Sequence, residues 1–295
     1  MAPTPPATGA GASERAGPLP SLYLETVRRS VAGLIHESAY ALRPAAFDSG
    51  LAPRVNDALG RVVRVAARLS GQELALVRRV PEAERGQGGP WPLVGETMIG
   101  PRRLEHLQAC VEAVLDEQVP GDLVETGVWR GGAAILMRAV LAARGVTDRV
   151  VWLADSFAGV PPPDPERHPA DRGSRLHRYD ELAVSLDRVR ANFERYGLLD
   201  DQVRFLPGRF ATTLPRLRRH PWSLIRLDGD LAESTADALE NLYPSLSPGG
   251  YAIVDDYGAI ESCRRAVDRF RRDHDVREPL EAIDASAVAW RRGPS

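Results

Sequence analysis

From about residue 120 onward, short apolar runs alternate with segments of helical periodicity. The runs are typical of buried strands, and the segments between them place their apolar residues on one helical face. The predicted strands are 123–125, 150–154, 203–206, 223–227 and 251–254, and the predicted helices are 132–144, 187–196, 233–243 and 261–273. This alternation predicts βαβ units and a parallel sheet. Two further segments, 280–283 and 287–290, fit a terminal hairpin at the sheet edge.

The N-terminal third has a different pattern. Residues 1–20 are mostly Ala, Pro, Gly, Thr and Ser, which bury too little apolar area to offset the entropy of ordering, so we expect a disordered tail. Helical spacing of apolar residues predicts helices over 22–35, 56–79 and 102–117. We therefore divide the chain into the tail (1–20), a helical N-terminal extension (21–95) and an α/β domain (96–295). The extension is expected to cover a substrate site or to form a dimer contact.

Composition and charge exclude several classes of protein. The 295 residues are 43% hydrophobic and 26% charged, with a formal net charge of −2, so the chain lacks the basic footprint of a protein that binds nucleic acid or anionic membranes. The two cysteines have no metal-ligand spacing, no apolar stretch approaches the ~18–20 residues of a membrane span, and the N-terminus does not resemble a secretory signal. We expect a cytoplasmic protein.

Four acids follow the fourth and fifth predicted strands. Asp228 and Asp230 end one strand, and Asp255 and Asp256 end the next. The carboxyl ends of parallel strands form the ligand-binding edge of an open α/β sheet. Gathered carboxylates repel one another unless a cation joins them, and oxygen ligands alone favour Mg²⁺ or Ca²⁺ over Zn²⁺. The alternative, left open above all for Asp230, is that an acid caps the next helix or simply ends its strand.

A glycine-rich turn follows the first predicted strand. Glu125 precedes Gly127, Gly131 and Gly132, and this spacing matches neither the G-x-G-x-x-G fingerprint nor a P-loop. The glycines would let the backbone approach a ligand, and the acid would repel phosphate. Asp155, at the end of the second strand, is placed to accept hydrogen bonds from ribose hydroxyls. A nucleoside without phosphate recognition indicates S-adenosylmethionine (SAM).

Five motifs of this chain resemble the macrocin O-methyltransferase family, over about residues 91–290. They are ETGVWRGG (125–132), ADSF (154–157), RFLPG (204–208), LDGD (227–230) and PGGYAIVDDY (248–257). Members of the family are SAM- and Mg²⁺-dependent sugar O-methyltransferases of antibiotic biosynthesis, including those acting on mycinamicin and on the noviose of novobiocin. The resemblance implies a Rossmann-like class I SAM-dependent methyltransferase: α/β, with a mostly parallel seven-stranded sheet and helices on both faces. It also implies methylation of a deoxysugar hydroxyl on a glycosylated small-molecule acceptor.

The resemblance further implies roles for individual residues. Asp228, Asp255 and Asp256 would ligate Mg²⁺. The residues expected around SAM are Thr97, Met98, Glu125, Thr126, Gly127, Gly131, Gly132, Asp155, Ser156 and Gly208. Two positions depart from the family: Ala232 replaces a usual Tyr near the acceptor, and Arg209 replaces a usual Trp near the adenine.

Methyl transfer from a sulfonium needs an oxygen nucleophile aligned with the S–CH₃ bond, and a sugar hydroxyl is too weakly acidic to react unaided at neutral pH. A metal bound by two adjacent hydroxyls would lower the pKa of one of them and orient it. We expect Asp228 to ligate the metal and also to accept the proton, with His177 as an alternative base.

Three other functions compete with sugar methylation. A catechol or phenol O-methyltransferase would use the same vicinal chelate, and an acceptor pocket shaped as a narrow aromatic slot would favour it. A non-catalytic nucleotide-binding module would have no need to gather carboxylates beside a cofactor. A nicotinamide-dependent oxidoreductase is disfavoured by the glycine spacing. The helical N-terminal extension would also suit a homodimer.

Overall fold

A computed structural model describes residues 19–36, 40–42, 69, 77–81, 84 and 91–294. The strands are β1 (Tyr40–Leu42), β2 (Val77–Arg79), β3 (Asp122–Thr126), β4 (Val151–Asp155), β5 (Val203–Pro207), β6 (Trp222–Leu227), β7 (Leu246–Val254), β8 (Glu281–Ala282) and β9 (Val288–Arg291). Seven of them form one sheet in the order β5-β4-β3-β6-β7-β9-β8. Strands β3 to β7 are parallel, whereas β9 is antiparallel to both β7 and β8. The predicted mostly parallel sheet and the terminal hairpin are confirmed.

Helices cover both faces of this sheet. They are α1 (Leu19–Val31), α2 (Pro101–Asp116), α3 (Gly132–Ala143), α4 (Leu186–Arg195), α5 (Phe210–Thr213), α6 (Ala232–Leu242) and α7 (Glu261–Asp273). Neighbouring strand residues point to opposite faces, so Leu224 packs with α1 to α4 and Ile225 packs with α6 and α7. The central strands β3 and β6 are apolar because both of their faces are buried, whereas the edge strand β5 is only partly buried.

Helix α3 is enclosed on all sides. Ten of its twelve residues are buried, as expected for a helix that is apolar all round. Helix α1 packs against α3 and contributes Leu24, Val27 and Val31 to the same core as the sheet. The first helix of the N-terminal extension is thus part of the hydrophobic core of the α/β domain.

The end of α1 is also joined to the start of α3 by hydrogen bonds. The carbonyl oxygen of Val31 accepts the backbone N–H groups of Glu96 at 2.7 Å and Thr97 at 3.1 Å. The carbonyl oxygen of Glu96 in turn accepts the N–H of Gly132 at 2.9 Å. Residues 96 and 97 are therefore held between two helices, which fixes Thr97 at the edge of the sheet.

The N-terminal third departs from the predicted helices at residues 77–79. Most of the predicted helix 56–79 lies outside the described residues, but its last three residues form β2, which pairs antiparallel with β1. The helix prediction is wrong there, because helical periodicity cannot register a partner strand almost forty positions away. The predicted tail lies outside the described residues up to position 18, and its last two residues begin α1. In the described part of the chain, no helix is long and apolar enough to cross a membrane.

Candidate active site

The carboxyl ends of β3, β4, β6 and β7 open onto a cavity of about 350 Å³. This volume is within the usual range for small-molecule sites. Ten of the predicted site residues line it: Thr97, Met98, Glu125, Gly127, Asp155, Ser156, Gly208, Asp228, Asp255 and Asp256. Residues from distant parts of the sequence thus meet at the predicted edge of the sheet.

Three predicted cofactor residues lie outside the cavity lining. Thr126 is fully buried within β3. A Cβ atom on Gly131 would lie 2.9 Å from Val189, and one on Gly132 would lie 2.7 Å from the backbone of Glu96. These three residues pack within the chain and are not among the residues that line the cavity.

Gly127 also has an internal reason to be glycine. Its φ is +80°, and an added Cβ atom would lie 1.8 Å from the carbonyl oxygen of Asp228. The N–H of Asp228 donates to the carbonyl of Thr126 at 2.8 Å. The close approach of Gly127 is thus to the backbone that carries the predicted metal ligand, and Gly127 also lines the cavity.

Asp155 joins the loops that follow β3 and β4. Its Oδ2 accepts the N–H of Val128 at 2.8 Å, and its Oδ1 accepts the N–H of Phe157 at 2.7 Å. Burial raises the pKa of Asp155 above its ordinary value, although the hydrogen bonds from these backbone donors oppose the shift. A carboxylate has about four lone-pair positions, so ribose hydroxyls can still donate to Asp155 while it holds the two loops.

Glu125 is the buried acid of the glycine turn, with 2% of its side chain exposed. Burial raises its pKa to about 8, even though the charge of Arg226 opposes that shift. A positive charge bound beside Glu125 would oppose that rise in its pKa and favour the ionised carboxylate, so the site suits a cationic ligand. Glu125 therefore fits SAM, whose amino and sulfonium groups are cationic.

Asp228, Asp255 and Asp256 form the acidic triad of the site. One carboxylate oxygen from each lies within 4.8 Å of the other two. Burial and the charge of Asp255 raise the pKa of Asp228 to about 6, and burial with the neighbouring carboxylates raises the pKa of Asp256 well above its ordinary value. Carboxylates that raise one another's pKa in this way fit a divalent cation with oxygen ligands.

Asp230 completes the acidic edge. Its backbone is left-handed, with φ +61°, and its N–H donates to Asp256 Oδ2 at 3.3 Å. Burial and the charges of Asp228 and Asp255 raise its pKa to about 8. A left-handed aspartate is uncommon, and such strain is concentrated at functional sites. Asp230 lines the cavity, so the alternative that it merely ends a strand is disfavoured.

Two arginines outside the predicted site hold two members of the triad, Asp228 and Asp255. Arg226 in β6 donates to Asp228 Oδ2 at 2.8 Å and to Asp255 Oδ1 at 2.5 Å. Arg103 in α2 donates to Asp255 Oδ2 at 2.5 Å and to Asp284 Oδ2 at 2.8 Å. The sequence did contain a signal, because Arg226 interrupts an apolar strand where an unpaired charge would be costly.

The long connection between β4 and α4 forms the roof of the cavity. Val160, Pro161, Leu176 and Leu182 line it from above. Three contacts hold the roof: Trp91 meets Tyr179 edge-on at 5.4 Å, Trp129 Nε1 donates to the carbonyl of Glu181 at 2.9 Å, and Asp171 accepts backbone N–H groups at the start of α6.

His177 lies in this roof but is not among the lining residues, and its Nδ1 is buried without a hydrogen-bond partner. The structure therefore does not place the alternative base at the cavity.

The two departures from the family pattern both lie at this end of the site. Ala232 is buried at the first position of α6, and its N–H donates to Asp171. Arg209 lines the cavity and donates to Glu233 Oε1 at 3.2 Å. Arg209 thus links the end of β5 to the first turn of α6.

The macrocin O-methyltransferase (TylF) family model matches residues 21–292. The chain belongs to the macrocin O-methyltransferase family. It is a SAM-dependent O-methyltransferase, as the resemblance of its five motifs implied. The match begins in α1, about seventy residues before the stretch that carries the resemblance, which agrees with the packing of α1 into the shared core.

Two curated relatives illustrate the similarity. The chain is 58% identical to the 8-demethyl-8-(2,3-dimethoxy-alpha-L-rhamnosyl)-tetracenomycin-C 4'-O-methyltransferase of Streptomyces olivaceus, over 72% of this chain and 81% of the relative. It is 50% identical to the mycinamicin III 3''-O-methyltransferase of Micromonospora griseorubida, over 72% of this chain and 84% of the relative. The solved structure of the O-methyltransferase NovP has a TM-score of 0.78 and 43% identity, and the match covers 93% of this chain and 100% of that chain.

Proposed function

We propose that the enzyme methylates a hydroxyl of a deoxysugar on a glycosylated natural product and that it requires Mg²⁺. The observation that carries this proposal is the acidic triad beside the cofactor cavity. The names of the two relatives support a sugar acceptor, since one describes a rhamnosyl tetracenomycin and the other mycinamicin III.

The charge of the cavity supports a neutral acceptor. Eight carboxylate side chains and two arginines line it, and the acids are Glu125, Asp155, Asp228, Asp230, Glu233, Asp237, Asp255 and Asp256. Whether ionised or protonated, these acids give an anionic group few positive partners. A sugar still attached to a nucleoside diphosphate would be disfavoured, whereas a sugar already transferred to an aglycone would not.

In the proposed reaction, a hydroxyl oxygen of the sugar bonds to the methyl carbon of SAM while the C–S bond breaks. The bonding pair returns to sulfur, giving the neutral thioether S-adenosylhomocysteine. The hydroxyl proton passes to Asp228, whose Oδ2 is held by Arg226, so that Oδ1 is the oxygen left to accept it. Asp155 and Glu125 would orient SAM, and the apolar roof residues would exclude water.

Asp228, Asp255 and Asp256 would hold Mg²⁺, which when bound supplies Lewis acidity and a template for adjacent hydroxyls. The arginines that hold two of these ligands keep them oriented without occupying every lone pair. This donor set matches the preference of Mg²⁺ for carboxylates in a partly hydrated site.

The exposed apolar residues support a contact role for the N-terminal extension. All the large hydrophobic side chains exposed in the described structure lie between positions 19 and 94, among them Leu19, Leu22 and Tyr23 of α1. We propose that this surface forms a homodimer contact. Light scattering coupled to gel filtration should give a dimer mass, and a monomer at micromolar concentration would contradict it.

The test of the proposed function is methyl transfer from radiolabelled SAM to glycosylated macrolides, aminocoumarins and tetracenomycins, with free nucleotide sugars and catechols in the same panel. We expect transfer to a glycoside, its loss on adding EDTA, and its recovery on adding excess Mg²⁺. Transfer that persists in EDTA would contradict the metal role. Transfer only to catechols, or only to nucleotide sugars, would contradict the acceptor class.

A further inference from the structure

Arg226 is a charged residue inside the most enclosed part of the sheet. Strand β6 lies between β3 and β7, and only 2% of the Arg226 side chain is exposed. A buried charge persists only where partners compensate for the loss of hydration, and removing one partner of such a group typically costs several kcal/mol. The arrangement of its partners is therefore the feature to explain.

The guanidinium of Arg226 joins the two halves of the site. One terminal nitrogen donates both to Glu125 Oε1 at 2.6 Å and to Asp228 Oδ2 at 2.8 Å. The other donates to Asp255 Oδ1 at 2.5 Å. Glu125 belongs to the cofactor side of the cavity, whereas Asp228 and Asp255 belong to the metal side.

Strand register produces this bridge. Glu125 and Arg226 are direct partners in the parallel pairing of β3 with β6. Asp228 follows Arg226 by two positions and so projects from the same face of the sheet. Asp255 follows β7, the neighbouring strand on the other side. A single side chain of β6 can therefore reach acids that end three adjacent strands.

Arg103 provides an internal contrast. It binds the second oxygen of Asp255 and the carboxylate of Asp284, with 11% of its side chain exposed. Within the described structure, the carboxylates that accept hydrogen bonds from Arg103 are Asp255 and Asp284, and Glu125 is not one of them. Arg103 thus supports the metal side alone, while Arg226 reaches both sides.

We propose that Arg226 is a positioning residue that holds Glu125, Asp228 and Asp255 as one unit, so that divalent-cation affinity depends on Glu125 through the shared guanidinium. The inference rests on the proposed function, since it presumes that the triad binds a cation and that Glu125 serves SAM. Mutating a hydrogen-bond partner of a metal ligand typically lowers metal affinity 10- to 100-fold. Arg226 would add a connection from the metal site to the cofactor site.

A lysine at this position keeps the charge but has one nitrogen in place of the two terminal nitrogens, so it cannot occupy both the position beside Glu125 and Asp228 and the position beside Asp255. Arg226→Lys should weaken binding of Mn²⁺, used as a spectroscopic substitute for Mg²⁺, by about 10-fold or more. It should also weaken SAM binding, because Glu125 loses its partner. Arg103→Lys should weaken Mn²⁺ binding and leave SAM binding within about two-fold of the wild type, because it touches only the metal side.

The decisive measurement is a double-mutant cycle, read by electron paramagnetic resonance of Mn²⁺ and by calorimetry with SAM, without turnover. Glu125→Gln should change the Mn²⁺ dissociation constant about three-fold or more in the wild-type background and much less in the Arg226→Lys background. A purely electrostatic effect of Glu125 would persist in both. Equal effects in the two backgrounds would overturn the proposal.

Arg138→Lys is the matched control, because Arg138 is also a buried arginine paired with an aspartate, but on α3 and away from the cavity. It should leave Mn²⁺ affinity unchanged, and a comparable loss in this variant would overturn a specific role for Arg226. If Arg226→Lys does not fold, Glu125→Gln and Arg103→Lys decide the matter alone: unchanged Mn²⁺ affinity in Glu125→Gln overturns the proposal.

Failure of the proposed function can be distinguished from failure of this inference. A wild-type enzyme that binds SAM but no Mn²⁺ would remove the proposed metal role and this inference with it. A wild-type enzyme that binds both, with Arg226→Lys equal to it, would overturn the inference and leave the proposed function standing.

Discussion

Asp171 caps helix α6 from a distant segment: its Oδ1 accepts the backbone N–H of Ala232 at 2.7 Å. Its Oδ2 accepts the N–H of the next residue, Glu233, at 3.1 Å. Asp171 is 1% exposed and lies in the roof of the cavity, whereas α6 forms part of the wall. One carboxylate therefore stabilises a helix start and also fastens the roof to the wall.

Asp171→Ala should destabilise the fold by about 1 kcal/mol, the usual cost of a lost N-terminal cap. It should also raise the KM for SAM several-fold, because a roof that opens more often lets the ligand escape. Asp180→Ala is the control, since Asp180 lies in the same connection but is exposed. Chemical denaturation and initial rates measure the two effects; equal behaviour of the two variants would contradict the role of Asp171.

Asp228→Asn should abolish methyl transfer, by about 10³-fold or more, because the variant loses both a cation ligand and the proposed proton acceptor. SAM binding by calorimetry should remain within a few-fold of the wild type. Asp230→Asn, two positions along the same edge, separates the roles. If Asp230 were the base, its variant would lose turnover while keeping Mn²⁺ affinity, and Asp228→Asn would show its loss chiefly in Mn²⁺ binding.

Leu24→Ala should destabilise the enzyme by about 2–4 kcal/mol, because Leu24 is 3% exposed and packs in the core shared by α1 and the sheet. SAM affinity should fall with it, since the end of α1 holds Thr97. Leu22→Ala is the matched control on the same helix, with 53% exposure, and it should change stability by less than about 0.5 kcal/mol. Equal, small effects in urea denaturation would show that α1 is an independent appendage.

Asp200→Asn should lower stability only where the aspartate is ionised. Arg138 donates to Asp200 Oδ1 at 3.1 Å, and this hydrogen bond holds the pKa of Asp200 below its ordinary value of 3.8. The folded-state pKa is depressed, so the contribution is present above the unfolded-state pKa and is lost as pH falls through the folded-state pKa. The Asp200 side chain is 43% exposed, so solvent screening limits the effect to about 0.5–1 kcal/mol at neutral pH.

Urea denaturation of the wild type and Asp200→Asn should give a constant difference between pH 5 and 8. That difference should shrink toward zero below about pH 4. A difference that instead changed around pH 6 or 7 would assign it to another group.

The sequence was sufficient for the sheet because strand and helix patterns are local. The strands 123–125, 150–154, 203–206 and 223–227 were predicted to within one residue at each end, whereas β7 begins five residues before its predicted start at 251. By contrast, the pairing of β1 with β2 joins residues almost forty positions apart. No local spacing predicts such a pairing, so residues 77–79 were assigned to a helix.

The site was predictable to the extent that it consists of strand ends. Asp155, Asp228 and Asp255 follow strands directly, so parallel pairing brings them together. The partners of these acids were not predictable, because Arg103 reaches Asp255 from a helix 152 residues earlier in the chain. The close approach of Gly127 to the backbone of Asp228 was likewise not predictable, because it depends on the pairing of β3 with β6.

The terminal hairpin has a consequence for how the enzyme matures. Strand β9 is the last described strand along the chain, yet in the sheet it lies between β7 and β8. During synthesis β7 therefore stays an open edge, with free N–H and C=O groups, until residues 288–291 emerge and pair with it. Asp284, which precedes β9, holds Arg103 beside Asp255, so the support of the acidic triad by Arg103 is complete only after the hairpin has formed. A nascent chain thus passes through an aggregation-prone stage before it can gain activity, and chaperone demand should concentrate in that interval.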